Sequence, residues 1–438
     1  MQIDNTTYSD LSVFQTSDEY SLFSKMDRTR TVGGRHQLLE FFNQPFSQLD
    51  KILQTQEILQ IIRSCEEEWG PSISNGTIMV MERFYETPLD QIPASHDPVS
   101  ARMYKLLHAP DYALTRYSIG HFADFIRGMY SIVSIPDKIN CPLLLKTLLD
   151  RAKRLLNQEI IHKLAQKKSG EKFQPDEVVQ YGNYIRDHFK PSALTLIEIY
   201  GKLDAWYSMA MACKEFNLVM PEFRDTIYPF IEVRALYHPL LPQAVSYDLQ
   251  MDPESNFIFL TGANMAGKST FIKSVGTALY LAHLGMGVPA DSMTVSLFDG
   301  ILSNINVVDN LVKGESYFFN EVQRIRNTIV QISDQKKWLV LIDELFKGTN
   351  VQDAMKCSST VIRGLIKIRS SLFILSTHLY EIGEELKAYP NICFKYFETS
   401  IRDGQLEFPY QLKDGISNDR LGYLILEREK VVELLDKL

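Results

Sequence analysis

Residues 262–269 read Gly-Ala-Asn-Met-Ala-Gly-Lys-Ser, a Gly-x-x-x-x-Gly-Lys-Ser pattern directly after the apolar run Phe257-Ile258-Phe259-Leu260. That is a strand feeding a loop built for phosphates. Gly262 and Gly267 can take up the positive φ that points successive backbone N–H groups inward, with Asn264, Met265 and Ala266 between them. Lys268 adds a point charge for the β- and γ-phosphates and Ser269 a hydroxyl for Mg²⁺. Thr270-Phe271-Ile272 opens a helix whose positive N-terminal end faces the same phosphates.

Two further strand ends supply partners. Lys336-Lys337 precede Trp338-Leu339-Val340-Leu341-Ile342, a buried-strand pattern that ends at Asp343-Glu344. Adjacent carboxylates at one strand end need separate tasks: Asp343 to hold the Mg²⁺ shell, Glu344 to polarise an attacking water. Phosphoryl transfer depends on positioning and charge compensation, which is what such a pair provides. Phe373-Ile374-Leu375-Ser376-Thr377 then delivers His378 to the same sheet edge, within reach of the γ-phosphate or the water. Alone, a histidine after an apolar run reads as a satisfied strand-end residue; its place after the other two blocks turns the reading to catalysis.

With these three blocks in this order, the chain resembles the MutS family of DNA mismatch-repair ATPases, within the wider ABC-type group. Thr261 through Thr270 is similar to the family's phosphate loop, with Ala263 where Pro is usual and Ala266 where Gly is usual. Leu341-Ile342-Asp343-Glu344 with Gly348-Thr349-Asn350, and Ser376 through Glu381, resemble its carboxylate strand and its switch-histidine segment. Asp309-Asn310-Leu311, Gly314 through Phe318 and Glu321 resemble the signature stretch, and Asp414-Gly415 through Gly422-Tyr423 the turn before the last helix. The resemblance implies ATP hydrolysis with Mg²⁺, a homodimer through the ATPase domains in which Ser316 reaches the partner's nucleotide, and DNA as partner. It places the family's adenine-stacking aromatic at Ala244, leaving Tyr247 as the substitute, while His238-Pro239 keeps the pattern just before it.

Upstream, Met26 through Thr31 with Gly33-Gly34-Arg35, then Leu203-Asp204-Ala205-Trp206 and Pro221, resemble the two ends of the family's helical core. Apolar spacing predicts helices there independently, as in Leu49, Ile52, Leu53, Ile58, Leu59 and Ile62. Core-like text starts near residue 20, so a preceding mismatch-reading domain and connector are not expected, and the span from about 65 to 190 predicts an absent or stunted DNA clamp. Phe84-Tyr85-Glu86 superficially repeats an aromatic-x-Glu wedge, but it falls after the core opening and reads as packing.

The elements that must position these groups are an α-helical core/lever domain over residues 1–228 and an α/β P-loop (ABC-type) ATPase domain over 229–438. Composition agrees with a globular chain, 45% hydrophobic and 23% charged, and a net charge of −8 gives no overall nucleic-acid footprint. A local patch exists: between Lys138 and Lys190, eleven Lys/Arg face six Asp/Glu, with Lys146, Arg151, Lys153, Arg154, Lys163, Lys167, Lys168 and Lys172 in it. A solvated helix face and a DNA contact both account for that patch. Five scattered cysteines without a Cys-x-x-Cys pair read as reduced thiols, and no apolar leader or spanning segment is found, so a cytoplasmic protein without membrane contact is expected. Besides the DNA-associated reading, a DNA-independent ATPase switch holding a protein partner through its helical domain remains open.

Overall fold

The computed structural model describes all of residues 1–438 except 15–19, 70–72, 96, 136–139, 306–316, 403–404, 418–433 and 435–438. The chain divides into two compact units, Met1–Lys25 with Gln44–Ile52 and Phe216–Leu438, and Met26–Asn43 with Leu53–Glu215. They do not follow a single cut between 228 and 229, because the first residues add to the sheet of the later half.

The opening segment is β1 (Gln2–Ile3), α1 (Asn5–Asp10) and α2 (Leu22–Met26). A two-residue strand carries no periodicity, yet β1 is anchored through the helix directly after it. Buried Thr7 accepts the N–H of Ser303 at 2.9 Å, and buried Asp10 accepts the Ser303 hydroxyl at 2.5 Å and the N–H of Ile305 at 2.9 Å.

The helical unit comes next, with α3 (Val32–Asn43), α4 (Leu49–Ser64, which enters it at Leu53), α5 (Asn75–Glu86), α6 (Pro98–Leu107), α7 (Ala109–Val133), α8 (Leu143–Leu156), α9 (Glu159–Gln166), α10 (Pro175–Tyr184) and α11 (Lys190–Glu215). Its two family-like ends meet at Asp204 in α11. This buried carboxylate accepts the backbone N–H of Arg30 at 3.0 Å and Thr31 at 2.9 Å, and the Thr31 hydroxyl at 2.7 Å. A Cβ at Gly34 would lie 2.0 Å from Asp204 Oδ2, so α3 reaches α11 only because that residue is glycine. Burial raises the Asp204 carboxyl, and these hydrogen bonds oppose the shift. Phe84 and Tyr85 are buried in α5 with their rings edge-on to Phe122, which is packing, as the sequence suggested.

The sheet unit continues with β2 (Glu222–Arg224), β3 (Ile231–Leu236), β4 (Tyr247–Met251), β5 (Phe257–Thr261), α12 (Lys268–His283), β6 (Ser292–Ser296), β7 (Gly300–Asn304), α13 (Tyr317–Ile332), β8 (Trp338–Asp343), α14 (Val351–Leu365), β9 (Ser371–Ser376), α15 (Glu381–Leu386), β10 (Ile392–Phe397), β11 (Ser400–Arg402), β12 (Gln405–Glu407) and β13 (Leu412–Asp414). Seven strands form the main sheet in the order β1-β7-β8-β9-β5-β10-β13, parallel except for β13. Strands β5, β8 and β9 are buried at every position, the mark of a parallel sheet covered on both faces. Trp338 is fully buried there against Gly300, where a Cβ would come within 2.0 Å of the indole. A second sheet has the order β2-β6-β3-β4.

Helix α12 is anchored at its far end by fully buried His283. Its Nδ1–H donates to the Phe46 carbonyl at 2.9 Å while Nε2 accepts the Phe298 N–H at 3.2 Å, which fixes a neutral tautomer. Among the described residues, no helix is long and apolar enough to cross a membrane. None of the five cysteines is in a disulfide.

Candidate functional site

Register brings the three sequence blocks together. Leu260 of β5 and Asp343 of β8 both pair with Ser376 of β9, so the strands release Gly262, Glu344 and Thr377 at one sheet edge. The loop after β5 turns through Gly262 at φ +135° and Gly267 at φ +107°, the left-handed region that favours glycine, and Met265 also sits at φ +68°. Gly262 is required for space as well: a Cβ there would lie 3.1 Å from the Phe397 carbonyl oxygen.

Lys268, the first residue of α12, is almost wholly buried under this loop, where its ammonium donates to the carbonyls of Gly262 at 2.8 Å and Ala263 at 2.9 Å. Burial lowers its pKa, opposed by the nearby charges of Glu344 and Asp343. The next residue, Ser269, donates its hydroxyl to Asp343 Oδ2, and the Ser376 hydroxyl donates to Oδ1 of the same carboxylate. A serine hydroxyl and a carboxylate touching at a strand end are hard oxygen donors, the set that suits Mg²⁺.

Glu344 is held differently from its neighbour. It has φ +62°, unusual for a side chain of this size, and its N–H is fixed to the Ser376 carbonyl at 2.9 Å. Its carboxylate is paired on both oxygens, with His378 Nε2 at 2.5 Å and Lys347 Nζ at 2.8 Å. Burial would raise this carboxyl; the contacts with His378 and Lys347 outweigh it and hold it down to about 2. The turn after it is pinned by buried Glu321 of α13, which accepts the N–H groups of Lys347 at 3.1 Å and Gly348 at 3.2 Å. Asn350 closes the segment by capping α14 through the Asp353 N–H at 3.0 Å.

These groups open onto a cavity of about 420 Å³, lined by Lys268, Ser269, Asp343 and Glu344 and by two tyrosines, Tyr247 and Tyr410. Tyr247, the expected substitute for a stacking aromatic, is buried with its ring edge-on to Phe271 and Phe397. Tyr410 is the residue that sequence reasoning missed. It is 41% exposed, sits at φ +54°, and would meet a Cβ at Gly267 at 3.3 Å. No pattern marked it, since 143 positions of chain separate it from Gly267, the loop residue it faces. Lys347 was likewise unmarked beside its motif. Asn264, Met265, Ala266 and Thr270 lie in or directly after the loop, with Asn264 and Met265 exposed. Ser316, with Asp309-Asn310-Leu311 and Gly314-Glu315, lies outside the described residues, as does Gly422-Tyr423.

Comparison with known proteins sets the class first: residues 258–433 match the family model for MutS domain V. Among curated proteins, the chain is 25% identical over 404 residues to a DNA mismatch repair protein MutS of Thermotoga sp. strain RQ2, covering 90% of this chain and 49% of that protein. It is 27% identical to the MutS of Oceanobacillus iheyensis over 63% of this chain and 32% of that protein, and 30% identical to that of Pseudothermotoga lettingae over 52% and 28%. These similarities support a MutS-family chain. It spans about half or less of the length of these relatives.

Proposed function

We propose that this protein is a Mg²⁺-dependent ATPase of the P-loop, ABC type that acts on mismatched, branched or otherwise distorted DNA, in repair or recombination, as a cytoplasmic homodimer. The observation that carries the catalytic reading is the meeting of Ser269 and Asp343 beside a Glu344 held deprotonated at the mouth of one cavity. ATP binds with its phosphates in the loop from Gly262 to Thr270. Lys268 exchanges its two loop carbonyls for phosphate oxygens, and Ser269 with Asp343 holds the Mg²⁺, which compensates the phosphate charge. Glu344 orients and polarises the attacking water, and His378 and Lys347 keep its carboxylate ionised and in place. Tyr410 faces the adenine. Hydrolysis then moves the helical unit, which makes up most of residues 1–228, as a lever, while the sheet unit, which includes residues 229–438, forms the ATPase.

DNA association is supported by the mismatch-repair role of the relatives and by the solvent face of α8, where Lys146, Arg151, Lys153 and Arg154 are exposed opposite buried Leu145, Leu149, Ala152 and Leu156. Part of the wider patch is internally neutralised, since Lys163 pairs with Glu159 and Lys167 with Glu171 and Glu177. The test is the ATPase rate with and without homoduplex, mismatched and branched DNA. Stimulation by distorted DNA that fades with salt and with neutralisation of the α8 cations is expected. A rate indifferent to every DNA would favour the alternative, an ATPase switch that holds a protein partner through its helical part.

A further inference from the structure

The helical unit carries a cavity of its own, about 650 Å³, a size typical of small-ligand sites. One wall is a single face of α7, where Tyr112, Arg116, Gly120 and Asp124 recur one turn apart; the other is the segment 168–175. The charges along it are unbalanced. Asp124 is taken by Arg127, which also donates to the Lys167 carbonyl, and Glu171 is taken by Lys167 at 3.2 Å and by the Lys168 N–H at 2.9 Å. Lys105, Arg116, Lys168 and Lys172 also line the cavity; among the described residues Lys105, Arg116 and Lys172 form no ion pair with a carboxylate, and the Lys168 ammonium acts on the Glu171 carboxylate through its charge alone.

Two observations add to that surplus of positive charge. His121 lines the same space with Nδ1 shut off from solvent and without a hydrogen-bond partner, its ring edge-on to Tyr117 at 4.8 Å. Beside it, a Cβ built at Gly120 would meet nothing within 4 Å, so the floor of the cavity is open above the backbone of α7. Tyr117 and Phe173 supply aromatic faces around that floor.

We propose that this cavity binds a phosphate monoester bearing a planar ring, of mononucleotide size, with Arg116, Lys168 and Lys172 on the phosphate and Tyr117 and Phe173 on the ring. It is independent of the loop site, so titration calorimetry uses both the full chain and its Lys268→Ala variant. The probes are AMP, CMP, ribose 5-phosphate and a short single-stranded DNA. Expected is saturable binding of AMP or CMP that persists in Lys268→Ala, with ribose 5-phosphate roughly tenfold weaker. Gly120→Leu puts a side chain into open space at a position where leucine favours the helix, and should weaken binding by about tenfold or more without lowering thermal stability. Arg116→Gln with Lys172→Gln, which leaves the cavity floor intact, should do the same. The proposal is overturned if neither mononucleotide binds, if binding disappears in Lys268→Ala, or if it survives both sets of cavity variants. Ribose 5-phosphate binding as well as AMP overturns it too, as does DNA that binds more tightly and is lost in the same variants.

Discussion

Removing the Lys268 ammonium and neutralising the Glu344 carboxylate should fail in different ways. Lys268 is the charge buried under the loop, and its truncation takes away ground-state contacts with phosphate, so Lys268→Ala should lose nucleotide binding itself. Glu344→Gln keeps the shape but loses the charge that His378 and Lys347 hold in place, and a general base is worth roughly 10²–10⁴-fold in rate. It should therefore bind ATP with near-normal affinity and turn over at least about a hundredfold more slowly. Equilibrium binding and single-turnover hydrolysis read the two effects separately, and equal turnover by Glu344→Gln and the unaltered chain would sink the assignment. At this scale the sequence was informative wherever a residue's task follows from its neighbours. Ser269 and Asp343 are 74 residues apart and do touch, because the helix after β5 and the end of β8 meet at one sheet edge. Lys347 and Tyr410 were not legible, because a clamp on Glu344 and a wall facing Gly267 come from the path of turns rather than from any repeat of residue types.

Helix α12 begins at Lys268 and ends at His283, and its second end makes stability depend on pH. Burial pushes the His283 imidazole down to about 4, although the Phe46 carbonyl opposes the shift, whereas a histidine in an unfolded chain titrates near 6.5. Between those values the unfolded state binds the extra proton. Stability from this contact is therefore full above about pH 6.5 and is lost as the pH falls toward 4, by on the order of 3 kcal/mol for this group. Thermal unfolding measured across that window should drop more steeply for the unaltered chain than for His283→Gln, and parallel curves would refute the role. The buried runs 257–260, 338–342 and 373–377 announced three of the seven main-sheet strands. The edge strand β1 could not be announced, for it consists of two residues positioned by Thr7 and Asp10, which look like ordinary polar residues in sequence. For the same reason a cut at 228 could not anticipate that Met1–Lys25 groups with the later half.

At the scale of the whole molecule, the dimer reading gives a test that needs no DNA. If Ser316 completes the nucleotide site of a partner subunit, Ser316→Ala chains still supply Lys268, and Lys268→Ala chains still supply Ser316. Mixing the two should rebuild one intact composite site per mixed dimer, because a two-fold interface presents the same patch twice. ATPase activity of the exchanged mixture should exceed the mean of the separate variants. Activity at that mean, with subunit exchange demonstrated, would favour a monomeric switch.

The three tryptophans are unequally shared: Trp69 and Trp206 belong to the helical unit, and Trp338 lies fully buried in the main sheet with its Nε1–H on Asp334 at 3.0 Å. Each unit thus carries its own optical label. A chain with Trp69 and Trp206 replaced by phenylalanine would emit from the sheet alone, and its red shift in denaturant would time the loss of the sheet unit separately from the circular dichroism of the helices.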